Sequence, residues 1–405
     1  MPALPAPPLR VLAVCDEWLP ARGGLSTLNR SLCVALAAAG CEVFCVVPGA
    51  SPQERDDAAA VGVSLVVSAA LPGMSERQAL MRRPPLAGGI VPDVVIGHGR
   101  ITGQIAKSLA DDHFPGARRI HCVHMVPDEI EWHRLGQQDD AGMRADERSR
   151  TELDLASDAA LAVPVGPRID AWLRRDLRGL DVTPPLVRLD PGFDGVDAVT
   201  RRVPEGREQI MLMGRVNDAR IKGVDLAARA VGHALGLNHP FTEWDLLVRG
   251  AAAGTSEELH ARLLRWIGHR AANVIVRPYT TDRAALRRDL LSTSLLLMPC
   301  RVEGYGLVGQ EAIMAGTPVL ISDRSGLGAL LREVLPAELA HRVVVPVDRD
   351  DKVDVPVWGH RIAAVLLDRE AAFATAAAVR DIMASERTWA RATGRLLDGL
   401  GPFSG

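Results

Sequence analysis

Short apolar runs alternate along the chain with longer segments of helical periodicity. The first such unit has apolar runs at 9–15 and 41–47, separated by a loop that ends in Gly23-Gly24 and by a helical pattern over 26–39. A strand, a helix and a second strand in this order form the βαβ unit of a parallel sheet. Because the runs are continuously apolar, we expect helices to cover both faces of that sheet.

The same alternation continues until a polar, turn-rich stretch at 190–208 and then begins again. Further strands are predicted at 63–67, 94–97, 119–123, 159–163 and 186–189, and after the polar stretch at 209–214, 244–249, 273–277, 294–299 and 317–321. The helices predicted in the second half lie at 224–235, 256–267, 283–291 and 385–400. The pattern therefore predicts an α/β protein of two Rossmann-like, doubly wound domains that face a central cleft.

Composition agrees with two globular domains and excludes several classes of function. A chain of 405 residues suits two domains of about 200 residues each. A net charge of −3 and an aromatic content of 4% argue against a nucleic-acid partner. The six cysteines form no C-x-x-C pair, so we expect buried thiols in a reducing compartment. Neither a membrane-length apolar run nor a secretory signal is found, which predicts a cytoplasmic protein without a transmembrane segment.

The segment 303–311 carries the most informative chemistry. It follows the predicted strand at 294–299 and reads E-G-Y-G-L-V-G-Q-E. We expect a helix over 307–314 whose N-terminus reaches the cleft, where free amides and the helix dipole bind a diphosphate. Glu311 lies one turn into this helix, within reach of a ribose diol, and Glu303 lies in the preceding loop, within reach of a sugar. The alternative is a helix-capping loop with two solvated glutamates.

Two cations stand in the loop that opens the second domain. Arg215 directly follows the glycine that ends the predicted strand at 209–214, and Lys222 precedes the helical pattern at 224–235. The strand ends of an open α/β sheet line its ligand crevice. Both side chains can therefore neutralise a leaving diphosphate, although two solvated loop charges are the alternative.

The first domain offers a glycine pair and two histidines. Gly23 and Gly24 allow a phosphate or sugar to approach the backbone closely, and the alternative is that they form a simple turn. His98 and His124 each come directly after a predicted strand and are expected at the cleft edge, with His124 the stronger functional candidate. His121 lies inside its strand and is expected in the core. Mixed charges over 139–154 are typical of a solvated helix face.

These residues together resemble a retaining family 4 glycosyltransferase with the GT-B fold, over nearly the whole chain. The resemblance rests on the following segments: Gly23-Gly24, the loop at His124, P-G-F-D at 191–194, G-R…K-G-V-D at 214–225 and E-G-Y-G-L-V-G-Q-E-A at 303–312. The spacing of Arg215 and Lys222 is longer than the usual R-x4-K of that family. The loops of the first domain that would bind an acceptor match nothing specific.

The resemblance implies a role for each candidate residue. His124 and Glu303 would be catalytic and contact the transferred sugar, whereas His98 is a candidate site residue from its position after a strand alone. Donor binding would fall to Gly23, Gly24, Arg215, Lys222, Gly306, Leu307, Val308 and Glu311. Arg215 and Lys222 would hold the diphosphate in place of a metal ion, and Glu311 would hold the ribose. The domains would span 1–195 and 206–384, and a helix in 385–405 would cross back to the first domain.

The implied activity is a metal-independent transfer that retains the anomeric configuration, with a UDP- or GDP-sugar donor and no cofactor. The acceptor stays open among a sugar, a lipid-linked sugar, a small metabolite and a protein. Two alternatives use the same fold. One is a non-catalytic nucleotide-sugar sensor, and the other is a sugar-nucleotide epimerase or a phosphorylase.

Overall fold

The computed structural model describes residues 7–20, 23–132, 140–179, 182–194, 201–216, 219–237, 244–268 and 272–402. Within these ranges the strands form two separate six-stranded sheets, and every paired strand is parallel to its neighbour. The predicted α/β class with two doubly wound domains is confirmed.

The first sheet has the strand order β3-β2-β1-β4-β5-β6. Its strands are β1 (Arg10–Val14), β2 (Glu42–Val47), β3 (Val63–Val67), β4 (Val94–His98), β5 (Arg118–Val123) and β6 (Leu161–Pro164). Its helices are α1 (Gly24–Ala38), α2 (Pro52–Ala60), α3 (Glu76–Leu80), α4 (Gly99–Ser108), α5 (Pro127–Glu131), α6 (Ala141–Ser157) and α7 (Pro167–Leu177). A 3₁₀ turn at Ala87–Gly89 and a π-helical turn at Leu109–His113 complete this half.

The second sheet repeats this order as β12-β11-β10-β7-β8-β9. Its strands are β7 (Glu208–Met213), β8 (Trp244–Ala251), β9 (Ala272–Pro278), β10 (Leu295–Met298), β11 (Val319–Ser322) and β12 (Val344–Val345). Its helices are α8 (Val224–Gly236), α9 (Ser256–Ile267), α10 (Arg283–Ser292), α11 (Leu307–Met314), α12 (Gly326–Val334), α13 (Ala337–Val343) and α14 (Asp351–Leu367). The chain ends in α15 (Arg369–Glu386) and α16 (Trp389–Leu400).

The order of the strands determines where each domain can bind a ligand. The chain direction across each sheet reverses beside its first strand, between β1 and β4 and between β7 and β10. At such a switch point the connecting helices lie on opposite faces, and a crevice opens at the carboxyl ends of the two strands. Residues that follow β1, β4, β7 and β10 therefore line the two crevices.

The apolar runs are buried from both sides, as the continuous pattern predicted. Val11, Leu12, Ala13 and Val14 of β1 are at most 1% exposed, although their side chains point alternately to opposite faces. The helices on each face cover them because the connections between parallel strands cross over the sheet. The six cysteines are free thiols, and five of them are buried.

Several boundaries differ from the predictions. The predicted strand at 186–189 makes only isolated bridges, from Leu186 to Ala162 and from Leu189 to Val165. Two prolines directly precede it, and proline cannot donate to a ladder. The predicted helix at 385–400 is interrupted, because Arg387 is extended and Thr388 caps a new helix by accepting from the amide of Arg391.

The last helix lies against the first domain. Gly399 of α16 packs against Val187 and Leu161, and the guanidinium of Arg118 donates to the carbonyl of Leu400. Among the described helices, none has both the length and the apolar character needed to cross a bilayer.

Candidate active site

Glycines at the carboxyl ends of the strands bring the two domains into contact. A methyl group at Gly23, which follows β1, would lie 2.0 Å from Nη2 of Arg215, which follows β7. A methyl group at Gly24 would lie 3.0 Å from Cδ1 of Leu307. The glycine pair was predicted to precede the first helix, but Gly23 is the N-cap of α1 and Gly24 its first residue. The pair therefore allows the second domain to approach the N-terminus of α1.

The loop after β10 reaches the first domain in the same way. A methyl group at Gly304 would lie 2.1 Å from the carbonyl oxygen of His124, which follows β5. Because that neighbour is backbone, it cannot rotate away as a side chain could. The loops that carry Glu303 and His124, the two residues predicted to be catalytic, are thus in contact although they belong to different domains.

Lys222 and Glu303 form an ion pair across the switch point of the second domain. The Lys222 side chain is 38% exposed and that of Glu303 is 20% exposed, so both are open to the cleft. Burial opposes the charge on Lys222, but the adjacent Glu303 carboxylate outweighs it and raises the pKa of the ammonium group. Lys222, which was predicted to bind the diphosphate, and Glu303, which was predicted to bind the sugar, therefore neutralise each other in the free protein.

Arg301 holds the loop that carries Lys222. Its guanidinium donates to the carbonyl of Arg220 at 2.9 Å and to the carboxylate of Asp225 at 2.7 Å, and its amide donates to the carbonyl of Ile221 at 2.9 Å. Arg301 is not among the residues that the sequence predicted to be functional. Its position two residues before Glu303 suggested that it lies near the site. The sequence could not show that its side chain faces the loop of Lys222.

Arg215 is the more accessible of the two cations. Its side chain lies over Gly23 and is exposed. Among the described residues, no carboxylate forms an ion pair with it, in contrast to Lys222. Arg215 is thus available to an anion without first losing a partner.

The N-terminus of α11 opens toward the same region. Gly306 is its N-cap, with φ 110° and ψ 55°, and no side chain caps the first turn. A methyl group at Gly306 would lie 2.7 Å from Cε of Met298, so glycine suits both the backbone angle and the space. The amides of Leu307 and Val308 belong to the first turn, which has no intrahelical acceptors. Free amides at a helix N-terminus, together with the helix dipole, favour the binding of an anion.

Glu311 lies one turn further along α11 and is half-buried. Burial raises the pKa of its carboxyl from the usual 4.5 to about 7, although the nearby Arg283 guanidinium acts in the opposite direction. Its environment includes Tyr279, whose phenol has a raised pKa because of burial and the carboxylates of Glu17 and Glu311. The Tyr279 hydroxyl donates to the carbonyl of Pro20 in the first domain, a contact that the sequence did not indicate.

His98 does not lie at the cleft edge, contrary to the prediction. It is the last residue of β4 and is 1% exposed, because it sits behind His124. Its Nδ1 lies 2.9 Å from Nε2 of His124, and its Nε2 lies 2.9 Å from Oδ1 of the buried Asn29. His124 is half-buried and is the member of this chain that lies at the domain boundary. His98 can therefore act on a ligand only through His124.

The charges over 139–154 are not all solvated, which corrects another expectation. Glu152 of α6 is 7% exposed and lies 3.0 Å from Nε2 of the buried His121. Its other oxygen accepts from the amide of Arg100 at 2.7 Å, which fixes the start of α4. Helical spacing of charges cannot reveal that one of them faces inward toward a histidine.

The P-G-F-D turn links the two halves rather than lining the crevice. The amide of Trp389 donates to Oδ1 of Asp194 at 2.7 Å, and the carbonyl of Gly192 accepts from the amide group of Gln310 at 2.6 Å. The turn therefore connects α11 with the start of α16.

The described part of the chain contains no group of three or more His, Cys, Asp or Glu side chains placed to hold a metal ion. What the crevice offers is two cations, a helix N-terminus, two carboxylates and an imidazole. Cations and free amides bind phosphate oxygens, whereas carboxylates and imidazole bind hydroxyl groups. This combination suits a ligand that has a diphosphate between two hydroxyl-rich groups.

Comparison with protein families gives a match over most of the chain. A family model described as "Family 4 Glycosyltransferase in conflict systems" matches residues 12–396. The chain is 25% identical over 248 residues to D-inositol 3-phosphate glycosyltransferase of Rhodococcus erythropolis, which covers 59% of this chain and 54% of that protein. It is 25% identical over 329 residues to the protein of the same name from Arthrobacter sp., with 75% of each covered. The chain thus matches about half the length of the first relative.

Solved structures share the two-domain architecture. Sucrose-phosphate synthase from Thermosynechococcus elongatus superposes with a TM-score of 0.70 at 18% identity, over 97% of this chain and 99% of that one. Anabaena Alr3699/HepE, solved in complex with UDP and glucose, superposes with a TM-score of 0.66 at 13% identity, over 98% and 100%. At these identities the likeness concerns the fold, which is the GT-B fold that the sequence predicted.

Proposed function

This chain belongs to the family 4 glycosyltransferases in conflict systems, and from this premise we propose that it transfers a sugar from a nucleoside-diphosphate donor to an acceptor, with retention at the anomeric carbon and without a metal ion. The observation that carries the proposal is the convergence of Arg215, Lys222 and the first turn of α11 on one crevice. All three groups bind anions, and the diphosphate is the anionic part of such a donor.

Donor binding then requires an exchange of partners at Lys222. A diphosphate oxygen replaces the Glu303 carboxylate beside the ammonium group, and Glu303 turns to a hydroxyl of the transferred sugar. Arg215, which needs no such exchange, binds the diphosphate from the side of Gly23. As the bond to the sugar breaks, negative charge grows on the departing diphosphate, and two cations with a helix N-terminus stabilise it where a metal ion would otherwise act.

The other residues orient the two ends of the donor. Glu311 accepts hydrogen bonds from the ribose hydroxyls, and the amides of Leu307 and Val308 contact the phosphate beside it. His124 and Glu303 approach the sugar from opposite domains. The acceptor enters from the first-domain side of the cleft and attacks the sugar on the face that the diphosphate leaves, through an oxocarbenium-like state. Attack on that face retains the anomeric configuration.

The donor can be identified with a panel of nucleotide sugars. We expect UDP- or GDP-sugars to bind in calorimetry and to be hydrolysed slowly, with product configuration read by NMR. The complex of Alr3699/HepE with UDP and glucose makes UDP-glucose the first donor to test. Failure of UDP, GDP and ADP alike to bind would contradict the proposal.

Acceptors are tested against the preferred donor. The relatives are named for D-inositol 3-phosphate, which is therefore the first acceptor to add. An increase in donor consumption and a new glycoside in the NMR spectrum identify the acceptor. Donor binding with no turnover under any condition would favour a nucleotide-sugar sensor, and release of an altered nucleotide sugar would favour an epimerase.

A further inference from the structure

A buried hydrogen-bonded chain leads from α1 to the domain boundary. Asn29 of α1 is fully buried, and its Oδ1 lies 2.9 Å from Nε2 of His98. Nδ1 of His98 in turn lies 2.9 Å from Nε2 of His124. The two rings are tilted by 42° with centroids 5.1 Å apart, so they meet through their nitrogens rather than by stacking. Each link therefore needs one donor and one acceptor.

Burial favours the neutral form of both imidazoles. Burial lowers the pKa of His98 to about 3, and His121 adds a smaller effect in the same direction. Burial also lowers the pKa of His124 well below its usual value, with further contributions from His98 and His121. A neutral imidazole has one N–H donor and one bare nitrogen acceptor, and the partner of one nitrogen decides the state of the other.

The amide oxygen of Asn29 determines the direction of the chain. An amide oxygen only accepts, so Nε2 of His98 must carry the hydrogen. Nδ1 of His98 is then bare, and Nε2 of His124 must donate to it. The amide nitrogen of Asn29 points the other way, 3.5 Å from Sγ of the buried Cys45. His124 is left with a bare Nδ1, to which none of the described residues donates a hydrogen bond.

We infer that Asn29 is a positioning residue, which acts through His98 to hold His124 in the Nε2–H form and so presents Nδ1 of His124 as an acceptor for a donor-sugar hydroxyl. This inference rests on the proposed function for the nature of the ligand. Glu303 also accepts hydrogen bonds, and its loop touches the backbone of His124 at Gly304. The sugar is therefore bound by two acceptors from different domains and by no ring N–H.

The tautomers can be read directly from the free protein. In proteins with isotope-labelled histidine rings, two-bond nitrogen–hydrogen correlations distinguish Nε2–H from Nδ1–H imidazoles. Loss of signals in His98→Gln and His124→Gln assigns the two residues. We expect the Nε2–H form for both. An Nδ1–H form for His124 would overturn the inference, and this result needs no substrate.

The role of Asn29 is tested with Asn29→Leu, which has a similar volume and no acceptor. We expect the His98 and His124 signals to divide between both tautomers, and kcat for donor turnover to fall about tenfold while KM for the donor stays within about twofold. Asn273→Leu is the matched control, because Asn273 is exposed on β9 and its side chain bonds only Asp245 among the described residues. Unchanged tautomers in Asn29→Leu would overturn the role of Asn29.

The failures of the two proposals are distinguishable. If no nucleotide sugar is turned over, the proposed function fails, whereas the spectra of the free protein still decide the tautomers. If turnover occurs and His124 has the Nδ1–H form, only this inference fails. If Asn29→Leu does not fold, the spectrum of the unaltered protein still decides the direction of the chain.

Discussion

Single residues in this cleft have chemistry that depends on their partners before the donor arrives. Lys222 and Glu303 neutralise each other, whereas Arg215 lies exposed over Gly23. Glu311 stands half-buried beside a helix N-terminus and has a raised pKa. The same four side chains on an open surface would be ordinary solvated charges. Substitutions here should therefore separate binding from chemistry.

Glu303→Gln removes the charge that we propose acts on the sugar and also releases Lys222 from its ion pair. We expect kcat for donor hydrolysis to fall by about a hundredfold or more, while the nucleoside diphosphate binds as well or better because Lys222 is no longer neutralised. Stopped assays and calorimetry on the same preparation measure the two effects. Glu338→Gln, on the exposed surface of α13, is the control. Unchanged turnover in Glu303→Gln would contradict the proposed role of Glu303 in the chemistry.

Glu311 should make folding stability depend on pH in a defined window. Its pKa is about 7 in the folded state and near 4.5 in the unfolded chain, so the unfolded chain releases its proton first as the pH rises. The contribution of Glu311 to the free energy of unfolding is then highest below about pH 4.5 and falls until about pH 7. Each pKa unit corresponds to about 1.36 kcal/mol, which after solvent screening gives about 1–2 kcal/mol. We expect Glu311→Gln to be more stable than the unaltered protein by this amount at pH 8 and equal to it at pH 4.5, in urea unfolding.

At the scale of helices and strands, the placement of these residues follows from local sequence signals. Strand β10, the 303–306 loop and α11 follow one another in the chain, and α11 spans Leu307–Met314 as predicted. The glycine at its N-cap combines a left-handed backbone with contact to Met298. Where a helix begins is a local matter, decided by backbone angles and capping, and so it is accessible from sequence.

Gly306→Ala should weaken α11 at its start. The alanine Cβ meets Met298 and is strained at φ 110°, so we expect a loss of about 1–3 kcal/mol of unfolding free energy. The affinity for the diphosphate should also fall, because the added Cβ displaces the amides of the first turn of α11. Gly236→Ala, at the end of α8 with open space around it, is the control and should be neutral or stabilising by up to about 1 kcal/mol. Equal diphosphate affinities for Gly306→Ala and Gly236→Ala would contradict the proposal that the N-terminus of α11 binds the anion.

The whole molecule is held together by contacts that run between the two domains beside the cleft. Ile130 packs with Ile221 and Val302, Arg188 pairs with Glu333 at 2.9 Å, and Tyr279 reaches Pro20. These contacts describe a closed arrangement of the two domains. We expect a donor to enter when the two domains move apart.

Gly304→Ala tests whether donor affinity needs this close approach. The added methyl group would lie 2.1 Å from the carbonyl oxygen of His124, and only separation of the domains relieves that contact. We expect the affinity for the nucleoside diphosphate to fall about tenfold and the radius of gyration to increase, by calorimetry and small-angle scattering. Gly394→Ala, on α16 with nothing nearby, should change neither. A compact variant with normal affinity would contradict the requirement.

Sequence alone determined the alternation of strands and helices, the two-domain α/β architecture and the placement of Arg215, Lys222, Glu303 and Glu311 in the loops and the helix that follow strands of the second domain. Parallel βαβ connections bring the carboxyl ends of the strands to one edge of a sheet, so a residue after a strand can be assigned to the crevice.

Only the tertiary structure decided which side chains meet. Lys222 and Glu303 are 81 residues apart in the chain, and Asn29 and His98 are 69 apart. Periodicity reports on neighbours within a few residues, and it could not show that His98 faces Asn29, that Glu152 faces His121 or that Gly304 touches His124. Those contacts arise when two sheets and their helices pack, and packing decides which strand-end residue faces the cleft and which supports it from behind.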